Sequence, residues 1–144
     1  METQVNIFLA EDDADDQIFF EKALSELPVS AKLKIFRDGE ELMKYLVLNS
    51  NDDNSKNILF LDLSMPNKTG FECLLEIKQN EKLKELQVVM ITCSLTKSID
   101  FEQYMITTLT KMGADGFIRK PNSFNELKSI VETTINRLIE KNTI

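Results

Sequence analysis

Glu11 and Asp12 follow one short apolar run, Asp62 ends another, Thr92 ends a third, and Lys120 follows a fourth. If these runs are neighbouring strands of a parallel sheet, three carboxylates, one ammonium and one hydroxyl meet at a single edge. Three acids against one lysine leave a formal charge of −2 there. Like charges that close raise carboxyl pKa values or destabilise the fold unless something cancels them. A divalent cation does so, and all-oxygen donors with few protein ligands suit Mg²⁺, which keeps several of its waters. Asp62 is then the candidate nucleophile, because a carboxylate can attack phosphorus and form an acyl phosphate. Phosphoryl transfer asks mainly for positioning and charge neutralisation. Mg²⁺, Lys120 and the Thr92 hydroxyl supply contacts for phosphoryl oxygens, and an ionised Asp62 needs no general base.

Each residue alone has a plainer explanation. An aspartate after a strand caps a turn, and Glu11-Asp12 suits a solvated helix N-terminus, where the dipole favours acids. A lone lysine is usually a surface residue, and a lone threonine simply a strand residue. The joint placement at the ends of four of five expected strands is what favours chemistry. Asp13, Asp15 and Asp16 are read as capping or helix-start charges.

The elements that must position these groups are short apolar runs alternating with amphipathic stretches. The runs are Val5–Ala10, Leu33–Phe36, Ile58–Leu63, Val88–Thr92 and Gly116–Ile118. The run ILFLDL is almost continuously apolar, the mark of a strand covered on both faces. Phe20, Ala23, Leu24 and Leu27 form one helical face, with Asp13 as cap and Pro28 beyond its end. Leu42, Tyr45 and Leu46 form a second stripe behind an Asp38/Glu41 capping pair. Phe71, Leu74 and Leu75 form a third. Leu127, Ile130, Val131, Thr134 and Leu138 form the last, behind Ser123 and Glu126. Strand–helix alternation five times over predicts an α/β fold, a doubly wound parallel sheet that binds ligands outside the carboxyl ends of its strands. The polar stretch Asn49–Asn57 reads as a loop.

Composition narrows the function classes. The 144 residues suffice for one domain with a substantial core, and no second domain is indicated. Net charge is −7, from 24 acidic and 17 basic residues, which argues against a nucleic-acid partner. No histidine is present, so Ser-His-Asp and Cys-His catalysis are excluded. Cys73 and Cys93 have no metal-site spacing and read as small hydrophobes of a reducing compartment. The N-terminal METQVNIFLAEDD is neither a signal peptide nor a membrane span, so a cytoplasmic, membrane-free protein is expected.

The segments IFLAEDDADD, RDGEELMKYL, ILFLDLSMPNKTGFE, VVMITCS and GADGFIRKP resemble the receiver domains of two-component response regulators, of the stand-alone CheY-like kind. The resemblance runs from Val5 to about Leu138, and LDLSMP…TGFE with the later KP is its most specific part. It implies a (βα)5 flavodoxin-like sheet of order 2-1-3-4-5 and one receiver domain over residues 1–144. It implies that Asp62 is the phosphoacceptor, that Asp12 binds Mg²⁺ directly and Glu11 through water, and that the Ser64 carbonyl completes the protein ligands. Lys120 would pair with Asp62 and then with the phosphoryl group, Thr92 would be the switch hydroxyl, and Phe117 the aromatic that moves with it. It makes a cis Lys120–Pro121 bond an expectation. The partners it implies are a sensor histidine kinase or histidine phosphotransfer protein and a downstream protein, with no activity beyond the domain's own phosphorylation and dephosphorylation.

Three positions depart from the family pattern. Glu11 stands where Asp is commoner, Phe117 replaces a frequent Tyr, and the stretch from Thr92 to Gly113 is long, with the extra length expected in the fourth helix or the loop before it. Ser64 and Ser94 lie where water approaches an acyl phosphate, so they are candidates to tune its lifetime. Two other readings compete. Haloacid-dehalogenase phosphatases need a second Asp two residues after the nucleophile, where this chain has Ser64. A phosphate-independent pseudo-receiver adaptor would have no use for the full set Glu11, Asp12, Asp62, Thr92 and Lys120.

Overall fold

The computed structural model describes residues 4–92 and 99–141. Five strands alternate with five helices: β1 (Val5–Ala10), α1 (Ala14–Ser25), β2 (Ala31–Phe36), α2 (Gly39–Leu48), β3 (Asn57–Asp62), α3 (Gly70–Gln79), β4 (Gln87–Thr92), α4 (Ile99–Lys111), β5 (Gly116–Arg119) and α5 (Phe124–Lys141). All strand pairs are parallel and the order is β2-β1-β3-β4-β5. Successive connections diverge between β1 and β3, so the switch point of the sheet lies at the ends of these two strands.

The continuous apolarity of the central strands has the expected cause. Side chains alternate faces along a strand, and each face here meets helices. Leu59, Leu61, Val88 and Met90 pack with Leu42, Cys73, Leu74, Ile77 and Leu109, on the side of α2, α3 and α4. Ile7, Leu9, Ile58, Phe60 and Ile118 pack with Phe20, Leu24, Val131, Ile135 and Leu138, on the side of α1 and α5. Phe60 is fully buried and meets Phe20 edge-on at 5.0 Å. Burying a side chain of this size stabilises the fold by about 1.5–3 kcal/mol.

The helix starts follow the capping pattern. Asp13, Asp38 and Ser123 each accept an N–H three residues on, from Asp16, Glu41 and Glu126. Thr69 and Glu72 form a reciprocal capping box before α3, within TGFE. In α3 the buried face is Gly70, Cys73, Leu74 and Ile77. Leu75 is exposed, contrary to the stripe expected from sequence. The buried face centres between Cys73 and Leu74, and Leu75, a further 100° round the helix, falls outside it.

Two glycines let the helices close on the loop after β3. A Cβ on Gly70 would lie 2.2 Å from the Asp62 carbonyl oxygen, and one on Gly39 would lie 2.1 Å from that of Lys68. Only glycine allows backbone to approach this closely. The loop is thereby held between the starts of α2 and α3. Its Asn67 takes the left-handed conformation, φ 67°, which Asn tolerates. Every peptide bond among the described residues is trans. Lys120–Pro121 therefore differs from the cis bond expected from the resemblance, and has the isomer X–Pro bonds intrinsically favour. Cys93, Ser94 and the loop before α4 lie outside the described residues.

Candidate functional site

Alternation along the strands delivers the charged groups to one place. Leu9 faces α1 and α5, so Glu11, two residues on, continues that row beyond the end of β1. Phe60 leads to Asp62 in the same way, and Ile118 to Lys120. The three rows end at one edge of the sheet, with β1 beside β3 and β4 between β3 and β5. Lys120 therefore reaches across from the β5 end. Its Nζ lies 2.6 Å from Glu11 Oε1 and 3.4 Å from Asp62 Oδ2. One oxygen from each of Glu11, Asp12 and Asp62 lies within 4.8 Å of the others. Glu11 is 2% exposed and Asp62 5%, whereas Asp12 is open to solvent.

Backbone contacts hold the acids in place. The Ser64 N–H donates to Asp62 Oδ1 at 3.1 Å. Glu11 Oε2 accepts the Asp13 N–H at 3.2 Å, and the Glu11 carbonyl accepts the Gln17 side-chain amide at 2.7 Å. The Lys120 N–H donates to the Thr92 carbonyl at 2.8 Å. Asp62 pairs with Ile91, the residue before Thr92. Thr92 pairs with Arg119 and Met90 with Phe117, so Thr92 and Phe117 lie on adjacent strands on the α2–α4 side. Phe117 packs partly buried against that core.

The electrostatics follow from burial. Desolvation, reinforced by a hydrogen bond with Asp62, pushes the Glu11 carboxyl up to about 8, against the opposing pull of Lys120. For Lys120, burial acts to lower the pKa. Hydrogen bonds to Asp16 and Glu11 and the charge of Asp62 outweigh it and hold the ammonium above the ordinary lysine value.

Sequence reasoning missed one member of this group. Asp16, read as a helix-start charge, lies with its Oδ2 2.8 Å from Lys120 Nζ. Helix phase is the signal that singles it out. Asp16 precedes the buried Phe20 by four residues, while Asp15 precedes the exposed Phe19 by four. With Asp16 included, the edge holds four carboxylates and one lysine, a formal −3 in place of −2.

The family model described as "Response regulator receiver domain" matches residues 7–132. The chain belongs to this family. Receiver domains are the signalling switches of two-component systems. Among curated relatives, the response regulator Rcp1 of Synechocystis sp. is 39% identical over 61% of this chain and 61% of its own length. The methanogenesis regulatory protein FilR2 of Methanothrix harundinacea, assigned that role as probable, is 30% identical over 88% of this chain and 78% of its own. The chain thus spans about three fifths of the first relative and more of the second. Among solved structures, the phosphorylated cyanobacterial phytochrome response regulator RcpA superposes with a TM-score of 0.79 at 27% identity, covering 96% of both chains. The Mn²⁺-bound form of Rcp1 gives 0.77 at 28% identity, covering 97% of this chain and 96% of its own. No helix among the described residues is long and apolar enough to cross a membrane.

Proposed function

We propose that this receiver domain accepts a phosphoryl group on Asp62 with Mg²⁺ bound by the strand-edge carboxylates, and that phosphorylation changes a protein-binding surface. The observation that carries this is the convergence of Glu11, Asp12 and Asp62 within 4.8 Å, with Lys120 against them. Three hard oxygen donors in one space fit a divalent cation, and a receiver neighbour has been seen with Mn²⁺. Asp12 and Asp62 would hold the ion directly with the Ser64 carbonyl, and Glu11 through water. Bound there, the ion would neutralise the charge gathered on the phosphoryl oxygens.

The chain's own groups supply the rest. An Asp62 oxygen attacks the donor phosphorus. The new O–P bond forms as the bond to the donor breaks, and the leaving group departs with the electron pair. With a phosphohistidine donor that group is an imidazole, which takes up a proton. Lys120 balances the charge that stays behind. The phosphodonors are a sensor histidine kinase or a histidine phosphotransfer protein, and the whole of residues 1–144 is one receiver domain. With Mg²⁺ and acetyl phosphate, the protein should gain one phosphoryl group by mass spectrometry. An unchanged mass would sink the reading.

Asp12→Ala should lower Mg²⁺ affinity by about 10²-fold, and Glu11→Ala by less, since losing even an outer-shell partner costs about 10–100-fold. Calorimetry showing the Asp12→Ala affinity unchanged would refute the ligand assignment.

The switch follows from the shared face of Thr92 and Phe117. If the Thr92 hydroxyl moves to a phosphoryl oxygen, it vacates space on that face for the Phe117 ring, altering the α4–β5–α5 surface. Couplings of this kind amount to about 1–3 kcal/mol, so the response is partial. Thr92→Ala should still be labelled yet show smaller phosphorylation-dependent NMR shifts at Phe117 and α4. A full shift pattern in that variant would exclude the mechanism.

A further inference from the structure

An ammonium has three donors, and Lys120 has a carboxylate for each: Glu11 at 2.6 Å, Asp16 at 2.8 Å and Asp62 at 3.4 Å. Glu11 and Asp62 also belong to the cluster with Asp12 that fits a cation. Asp16 does not. A cation in that cluster draws on two of the lysine's partners and leaves the third untouched. Asp16 is also fixed independently of the cluster. Its N–H donates to the Asp13 cap at 3.0 Å, and one turn on, Phe20 anchors the same helix face against Phe60.

We propose that Asp16 is a positioning residue for phosphoryl acceptance, holding the Lys120 ammonium at the strand edge when Glu11 and Asp62 turn to the cation. The ammonium is then in place for the incoming phosphoryl oxygen without a search by a flexible side chain. The proposal rests on the reading of Asp62 as phosphoacceptor. The paired side chains are 39% and 20% exposed, so solvent screens the interaction and its effect is moderate.

The test is a double-mutant cycle on the rate of labelling by acetyl phosphate at saturating Mg²⁺, with Lys120→Met as the second substitution. Asp16→Asn should slow labelling about fivefold, the upper range for a solvent-accessible ion pair. In the Lys120→Met background it should change nothing further. No slowing, or equal slowing in both backgrounds, overturns the proposal. A second measurement needs no phosphorylation: the Lys120 ammonium resonance in the Mg²⁺-loaded protein at low temperature. It should be protected from exchange in the wild type and lost in Asp16→Asn, and its persistence in that variant overturns the proposal. If no variant and not even the wild type is labelled, the phosphoacceptor reading fails, and the ammonium signal still decides the role of Asp16.

Discussion

Exposed to acetyl phosphate and Mg²⁺, the Asp62→Asn protein is expected to gain no phosphoryl group. Three acids share the edge, so the prediction singles out one of them. Glu11 has both oxygens engaged, one by Lys120 at 2.6 Å and one by the Asp13 amide, whereas the Lys120 contact to Asp62 is looser at 3.4 Å. Asp12 is open to solvent, where nothing excludes water from an acyl phosphate. Asp62 is buried, held by the Ser64 amide at one oxygen and facing Lys120 with the other. Asn has nearly the same shape, and its carbonyl oxygen still accepts the Ser64 N–H, so the fold should survive while the nucleophile is lost. Mass spectrometry of both proteins in parallel decides the matter. Equal labelling would move the phosphoacceptor to another residue.

Much of this site was legible in the sequence because strand ends are easy to read. β1 begins and ends where the apolar run VNIFLA does. The period-two alternation that places Leu9, Phe60 and Ile118 on one face also fixes Glu11, Asp62 and Lys120. The order of the strands was less legible, since five apolar runs do not say which are neighbours. That order came from the resemblance, and the pairing bears it out. Strand edges were also missed by a residue or two. Ala31 and Lys32 extend β2, because an edge strand with one open side keeps its lysines exposed and looks polar.

Helix phase was the weaker signal. Phe71, Leu74 and Leu75, three apolar residues within five positions, satisfy a loose helical pattern that puts Leu75 on a buried stripe. The stricter spacing of Gly70, Cys73, Leu74 and Ile77 excludes it. The same phase argument, carried one turn towards the start of α1, would have lifted Asp16 out of its acidic run. What no sequence pattern supplies is the contact between Asp16 of α1 and Lys120 beyond β5, because it depends on how α1 packs on the sheet.

Mg²⁺ binding at neutral pH is expected to expel a proton from Glu11. Burial and the hydrogen bond with Asp62 raise its carboxyl from 4.5 to about 8, so the fold without metal favours the protonated form. The stability this contributes is fully present below the unfolded value of 4.5 and is lost as pH rises through about 8. Without metal, the protein should therefore become less stable across that interval, because the native state binds more protons than the unfolded one. A cation at the cluster favours the ionised carboxylate, so binding and deprotonation are linked. Affinity should climb by up to about tenfold per pH unit on the acid side of the Glu11 transition and level off beyond it. Lys120 contributes no slope here, since its ammonium is held above the ordinary lysine value. Calorimetric titration in buffers of different ionisation enthalpy should give close to one proton released per ion at about pH 7 and almost none at about pH 9. Glu11→Gln should flatten the dependence. A heat of binding independent of buffer at neutral pH would mean that Glu11 is already ionised beside Lys120, and that the cluster carries its full negative charge before any metal arrives.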